Sequence, residues 1–92
     1  MKRFTTYAPG IHQEAAEKLS NIFRSGVRRP DGSFPSRTIG PVEMAPYTER
    51  LTFYLSTTEE AAGRVIINIR AKRMDGTDIR QPAQEPEKEA NR

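Results

Sequence analysis

Two runs of alternating apolar and polar residues dominate the second half of the chain. In Glu49-Arg50-Leu51-Thr52-Phe53-Tyr54-Leu55, a period of two puts Leu51, Phe53 and Leu55 on one face. In Arg64-Val65-Ile66-Ile67-Asn68-Ile69-Arg70-Ala71-Lys72-Arg73, it puts Val65, Ile67, Ile69 and Ala71 together. The opposite faces carry Arg50, Thr52 and Tyr54 on the first run. On the second they carry Arg64, Ile66, Asn68, Arg70 and Lys72. Paired, the two runs make a sheet with one core side and one cationic side that holds one aromatic ring.

The rest of the chain supplies the cover for that sheet. Ile11, Ala15, Leu19, Ile22 and Phe23 recur at helical spacing, which predicts a helix over Ile11 to Ser25. Pro9 suits its first turn, and Gly26 a left-handed end with Val27 making the apolar contact beyond it. Lys2 to Tyr7 reads as a short strand with Phe4 inward. Residues 28–37 are basic and turn-rich and read as a protruding loop or a short, irregular hairpin, and the four prolines from Pro30 to Pro46 argue against a central strand over that stretch. Thr57 to Gly63 reads as one helical turn. Met74-Asp75-Gly76-Thr77 reads as a tight turn, and Thr77 to Arg80 as a short edge strand. From Gln81 the chain has two prolines and almost nothing apolar, which predicts disorder. The expected fold is α+β: one amphipathic helix on an antiparallel sheet of about three to five strands. A single domain spans 1–80, and a charged tail spans 81–92.

Composition limits the chemistry. Ninety-two residues with a mean hydropathy of -0.76 allow one thin core. No apolar run approaches a membrane span or the core of a secretion signal, so a cytoplasmic protein is expected. With no cysteine, disulfides and zinc–thiolate sites are excluded. The one histidine, His12, reads as a solvated helix residue, and no metal or other cofactor is implied. Asp31, Asp75 and Asp78 lie in or beside glycine turns, where Asp is expected for backbone reasons. No Walker loop, dinucleotide fingerprint or nucleophile elbow is present, so no catalytic residue is assigned and enzyme activity is not expected.

Charge points instead to binding. The net charge is +3, and arginine outnumbers lysine 11 to 4. Guanidinium groups meet phosphates and carboxylates with two parallel hydrogen bonds and stack on rings. Two surfaces follow. One is the outer sheet face with Arg50, Tyr54, Arg64, Asn68, Arg70 and Lys72. The other is the loop bearing Arg28, Arg29 and Arg37 around Phe34. Either suits an anionic partner, nucleic acid or protein; Met44, Tyr47 and Met74, if exposed, suit a protein.

Brevity, absent cysteine, one helix (Ile11 to Ser25) against a hairpin (Leu51 to Lys72) and a charged surface make the chain resemble, in kind, the small phage-encoded inhibitors of the anti-CRISPR class. That resemblance rests on character and not on a motif, so it assigns no residue a role. It implies a protein that binds a CRISPR effector complex, a larger ribonucleoprotein, in the bacterial cytoplasm. The alternatives are a direct DNA- or RNA-binding regulator, opposed by the lack of a helix-turn-helix pair, and a small virion or assembly subunit. Membrane partners are not expected, and oligomeric state is left open.

Overall fold

The fold was determined as a computed structural model, which describes residues 3–60 and 63–79. The elements run β1 (Arg3–Tyr7), α1 (Gln13–Arg24), β2 (Arg37–Val42), β3 (Leu51–Glu59) and β4 (Arg64–Arg73). One helix packs on a four-stranded sheet of order β1-β4-β3-β2, which is the α+β arrangement expected. Three strands, β2, β3 and β4, pair antiparallel. β1 pairs parallel with β4, so the sheet is mixed and not wholly antiparallel. The reason is topological: α1 lies between β1 and β2, and a strand reached through a helical crossover can run parallel.

The period of two governs β3 and β4 along most of their length. Leu51, Phe53, Leu55, Val65, Ile67, Ile69 and Ala71 are all buried. Ala15, Ala16, Leu19, Ser20 and Phe23 of α1 are buried as well. Thr6 meets Ser20 through a hydroxyl–hydroxyl hydrogen bond of 2.8 Å, tying β1 to the helix. Phe34 closes the core from the loop, 5.4 Å from Phe23 and 6.0 Å from Phe4 between ring centroids.

The helix ends differ from expectation. His12 caps the N-terminus, its Nδ1 accepting from the Glu14 amide at 3.4 Å, and its own amide donates to the Tyr47 hydroxyl at 2.7 Å. Pro9 and Gly10 form the turn before the cap, because Gly10 at φ 81° cannot continue a helix. Gly26 is not left-handed, and Val27 is 84% exposed. The chain leaves through Ser25 in bridge-like geometry, and Phe34 takes the apolar place beyond the helix. Of the helical turn expected over Thr57 to Gly63, the first residues are strand instead, residues 61–62 lie outside the described residues, and Gly63 is 3₁₀. β3 continues to Glu59, pairing Thr57 with Ile67, Thr58 with Ile66 and Glu59 with Val65. The strand partner offered by β4 outweighs the weak local helix signal.

Prolines act as expected in β2, which is an edge strand. Its register breaks between Ile39 and Val42, at Gly40-Pro41. Gly40 has φ 115°, and a methyl group there would stand 2.5 Å from the Leu51 carbonyl oxygen. Thr77 to Ile79 returns beside β4 but makes one bridge, Lys72 with Asp78, and not a strand. The expected end of that strand, Arg80, and the expected disordered tail lie outside the described residues.

Two turns share the pattern Arg-x-Asp-Gly-Ser/Thr. At 29–33, Asp31 Oδ1 accepts from the Ser33 amide (2.9 Å) and hydroxyl (2.6 Å), and Gly32 has φ 88°. At 73–77, Asp75 Oδ1 accepts from the Thr77 amide (3.0 Å) and hydroxyl (2.7 Å), and Gly76 has φ 90°. Each closes with the amide of its Arg donating to the carbonyl of its Ser or Thr. The Ser33 and Thr77 hydroxyls, then their amides, hold both carboxyls below the ordinary 3.8, with Arg29 or Arg73 adding to the effect.

Three outcomes test this account. Gly40→Ala should cost about 2 kcal/mol or more in denaturant unfolding, from backbone strain plus the clash with Leu51. Phe34→Ala should cost about 3–5 kcal/mol, while Val27→Ala stays within about 0.5 kcal/mol. A depressed folded pKa stabilises the turn above the unfolded value of 3.8, and that stability is lost as pH falls through the lower folded value. The Thr77 amide should therefore titrate with a midpoint below 3.8 by NMR, and a midpoint at or above it would contradict the assigned hydrogen bonds.

Candidate functional site

The outer sheet face is built by the same alternation that builds the core. Side chains directly opposite each other across paired strands share a face. Tyr54 stands opposite Arg70 and Thr38, Lys72 opposite Thr52, and Asn68 opposite Ser56 and Tyr7. Arg64 stands opposite Arg3. The face therefore carries Tyr54, Arg64, Asn68, Arg70 and Lys72, as the alternation of β3 and β4 requires. It also carries Arg3 and Tyr7, which the sequence reading left out. Placing Phe4 inward in β1 already implied that Arg3, Thr5 and Tyr7 point the other way. There are thus two exposed rings, not one: Tyr7 is 58% exposed and Tyr54 40%.

Several of the cations already have company. Arg70 Nη2 lies 3.8 Å from Asp78 Oδ1, an ion pair too long for a hydrogen bond, and Asp78 Oδ1 is screened from solvent without a hydrogen-bond partner. Arg64 Nη1 lies 3.6 Å from Glu60 Oε1. Asn68 Nδ2 donates to Thr58 Oγ1 at 2.9 Å, which fixes its amide. Arg50 precedes β3 and donates from Nη2 to the Pro41 carbonyl at 3.2 Å, holding β2 to the start of β3. A recess of about 170 Å³ lies beside Tyr54, Asn68 and Arg70, with Ser36 and Thr38 on its wall.

The second expected surface is divided. Phe34 is buried, so it offers no exposed ring between arginines. Arg28 instead lies over the Phe34 ring, 4.9 Å from its centroid, and Arg24 lies over Phe4 at 4.8 Å. Such contacts at exposed sites are worth about 0.5–1 kcal/mol each; the first helps seat the loop on the core and the second ties the end of α1 to β1. Arg29 sits in its turn, exposed. Arg37 also borders the outer recess, but its Nη1 lies beside Gly26. That is the negative end of the helix, where a cation is favoured. The three arginines therefore do not form one patch: Arg28 lies on Phe34, Arg29 sits in its own turn, and Arg37 reaches the recess that Tyr54 and Arg70 also line.

Met44 and Tyr47, which would suit a protein interface if exposed, instead pack against the core, with Tyr47 6.5 Å from Phe53 between ring centroids. Only Met74 of the three is strongly exposed, at 66%. A cleft of about 420 Å³ between Phe4, Phe34, Val65 and Thr57 opens on the helix side, with Arg28 and Glu59 at its walls. Among the described residues no group of three or more His, Asp or Glu is placed to hold a metal ion. No helix among them is long and apolar enough to cross a membrane. Comparison of the chain with protein-family models, curated proteins and solved structures finds no match.

Proposed function

We propose that this chain is a non-enzymatic binding protein that acts by covering a surface on a nucleic-acid-handling protein or ribonucleoprotein complex with the outer face of its sheet. The observation that carries the reading is the mixture on that face: two exposed tyrosines, and arginines interleaved with carboxylates. Tyr and Arg are favoured at protein interfaces, where they anchor the few contacts that dominate affinity. A bare phosphate track is better served by uninterrupted positive charge, and Asp78 and Glu60 interrupt it beside Arg70 and Arg64. The Arg64–Glu60 pair, half exposed at 3.6 Å, is worth only about 0–1 kcal/mol, so a partner carboxylate competes for that guanidinium at little cost.

The resemblance to anti-CRISPR inhibitors gives the proposal its most specific form, in which the partner is a CRISPR effector complex and the site of action is the bacterial cytoplasm. A second reading, direct binding of single-stranded DNA or RNA, draws on Tyr7 and Tyr54 flanking Asn68 and Arg70, since bases stack on such rings.

Affinity capture with the tagged chain tests the proposal. The wild type should recover effector subunits, and the Arg70→Ala, Lys72→Ala double variant should recover them about tenfold less well, the loss of a single strong contact. Recovery of no effector subunit by the wild type would remove the CRISPR form of the proposal. Undiminished recovery by the double variant would remove the outer face as the contact surface.

A further inference from the structure

The two edges of the sheet are built differently. The β2 edge is interrupted by Gly40 and by Pro41, which has no N–H to offer, and its register breaks there. The β1 edge has none of these defences. Arg3 to Tyr7 is a regular strand of five residues without proline or glycine. Among the described residues, no backbone group pairs with the side of β1 turned away from β4. The helix does not cover that side either: a groove of about 370 Å³, lined by Thr6, Ala8, Ile11 and Ala16, lies open between β1 and α1. An uncovered, regular edge is a template for another strand.

We propose that the occupant is a second copy of this chain, joined β1 to β1 in antiparallel fashion about a two-fold axis through Thr5. This register pairs all five residues and is self-complementary. It sets Arg3 of each copy opposite Tyr7 of the other, a cation beside an aromatic ring, and Thr5 opposite its own equivalent. On the helix side it sets Phe4 opposite Thr6. Shifting the axis to Arg3 would bring like charges together, and shifting it to Phe4 or Thr6 shortens the pairing. A two-fold axis normal to the sheet keeps both helices on one side and both outer faces on the other. The product is one continuous eight-stranded sheet, with the Tyr7 and Arg3 positions of the two copies meeting at its centre. The dimer thus offers one broad contact face to a partner, and it stands or falls independently of who that partner is.

Sedimentation of the full chain over a concentration series reads the result directly. The wild type should move from the 10.4 kDa chain mass toward twice that value as concentration rises. Thr5→Lys sets two ammonium groups face to face on the axis and should hold the protein at the chain mass, with the thermal melt of the dilute, monomeric wild type. Thr5→Val keeps the β-branched shape and should still dimerise. Arg3→Ala should weaken the dimer about fivefold or more, since it removes two symmetric ring contacts. Thr38→Lys, on the β2 edge, should leave it intact. A wild type that remains at the chain mass up to about 1 mM overturns the proposal. So does a dimer that survives Thr5→Lys, or one abolished by Thr38→Lys. A dimer broken by Thr5→Lys but indifferent to Arg3→Ala overturns the register.

Discussion

Strand β4 is the member of the sheet to which the others are tied. From Val65 to Arg73 it pairs with β3, from Leu51 opposite Arg73 to Glu59 opposite Val65. On its other side, β1 takes the first half and the returning residues Thr77 to Ile79 take the second. Because side chains alternate strictly along a strand, fixing the pairing of β4 fixes both faces at once. Val65, Ile67, Ile69 and Ala71 must lie under the helix, and Arg64, Asn68, Arg70 and Lys72 must lie on the outside. A slip of one residue would bury the arginines and expose the isoleucines, at a cost of many kcal/mol, with about 1.5–3 kcal/mol for each large apolar side chain alone. The charged outer surface is therefore a consequence of the core.

The same coupling explains why Asp78 sits where it does. The return segment must satisfy the free half of β4, and it does so with Ile79 donating to Ala71 and Arg73 donating to Thr77. Pairing Asp78 with Lys72 brings its carboxylate to the outer face beside Arg70. A hairpin needed for backbone satisfaction thus places a negative group among cations, and it turns a plain basic patch into a mixed one. On the helix side, cations are used differently: Arg28 lies over the Phe34 ring and helps seat the loop, and Arg24 lies over the Phe4 ring and joins the end of α1 to β1.

Much of this was legible in the chain wherever one local rule acted alone. The period of two in Leu51 to Leu55 and Val65 to Ala71 identified two strands and their faces. The period of the helix identified α1, and Asp-Gly identified both turns. Legibility failed where a distant partner decided the outcome. Thr57 to Glu59 look locally like a helix start, yet β4 supplies hydrogen-bonding partners and draws them into β3. Phe34 looked like a loop tip among arginines, but the gap beyond Phe23 needed an apolar plug, and no local pattern reports such a gap. Tyr7 and Arg3 were missed for a different reason: the signal was present in the alternation around Phe4 but was not carried through to the opposite face. The parallel pairing of β1 is a property of topology, which a run of five residues does not encode.

The central claim is that the mixed charge of the outer face serves a protein surface and not bare phosphate. Fluorescence anisotropy with labelled single- and double-stranded oligonucleotides, across a series of salt concentrations, tests it most directly. The account predicts only weak binding that fades steeply with salt and is no tighter than about 10⁻⁶ M at physiological salt, the ordinary non-specific limit. Nanomolar binding that persists at physiological salt would contradict it, and would make the face a nucleic-acid platform centred on Tyr54 and Arg70.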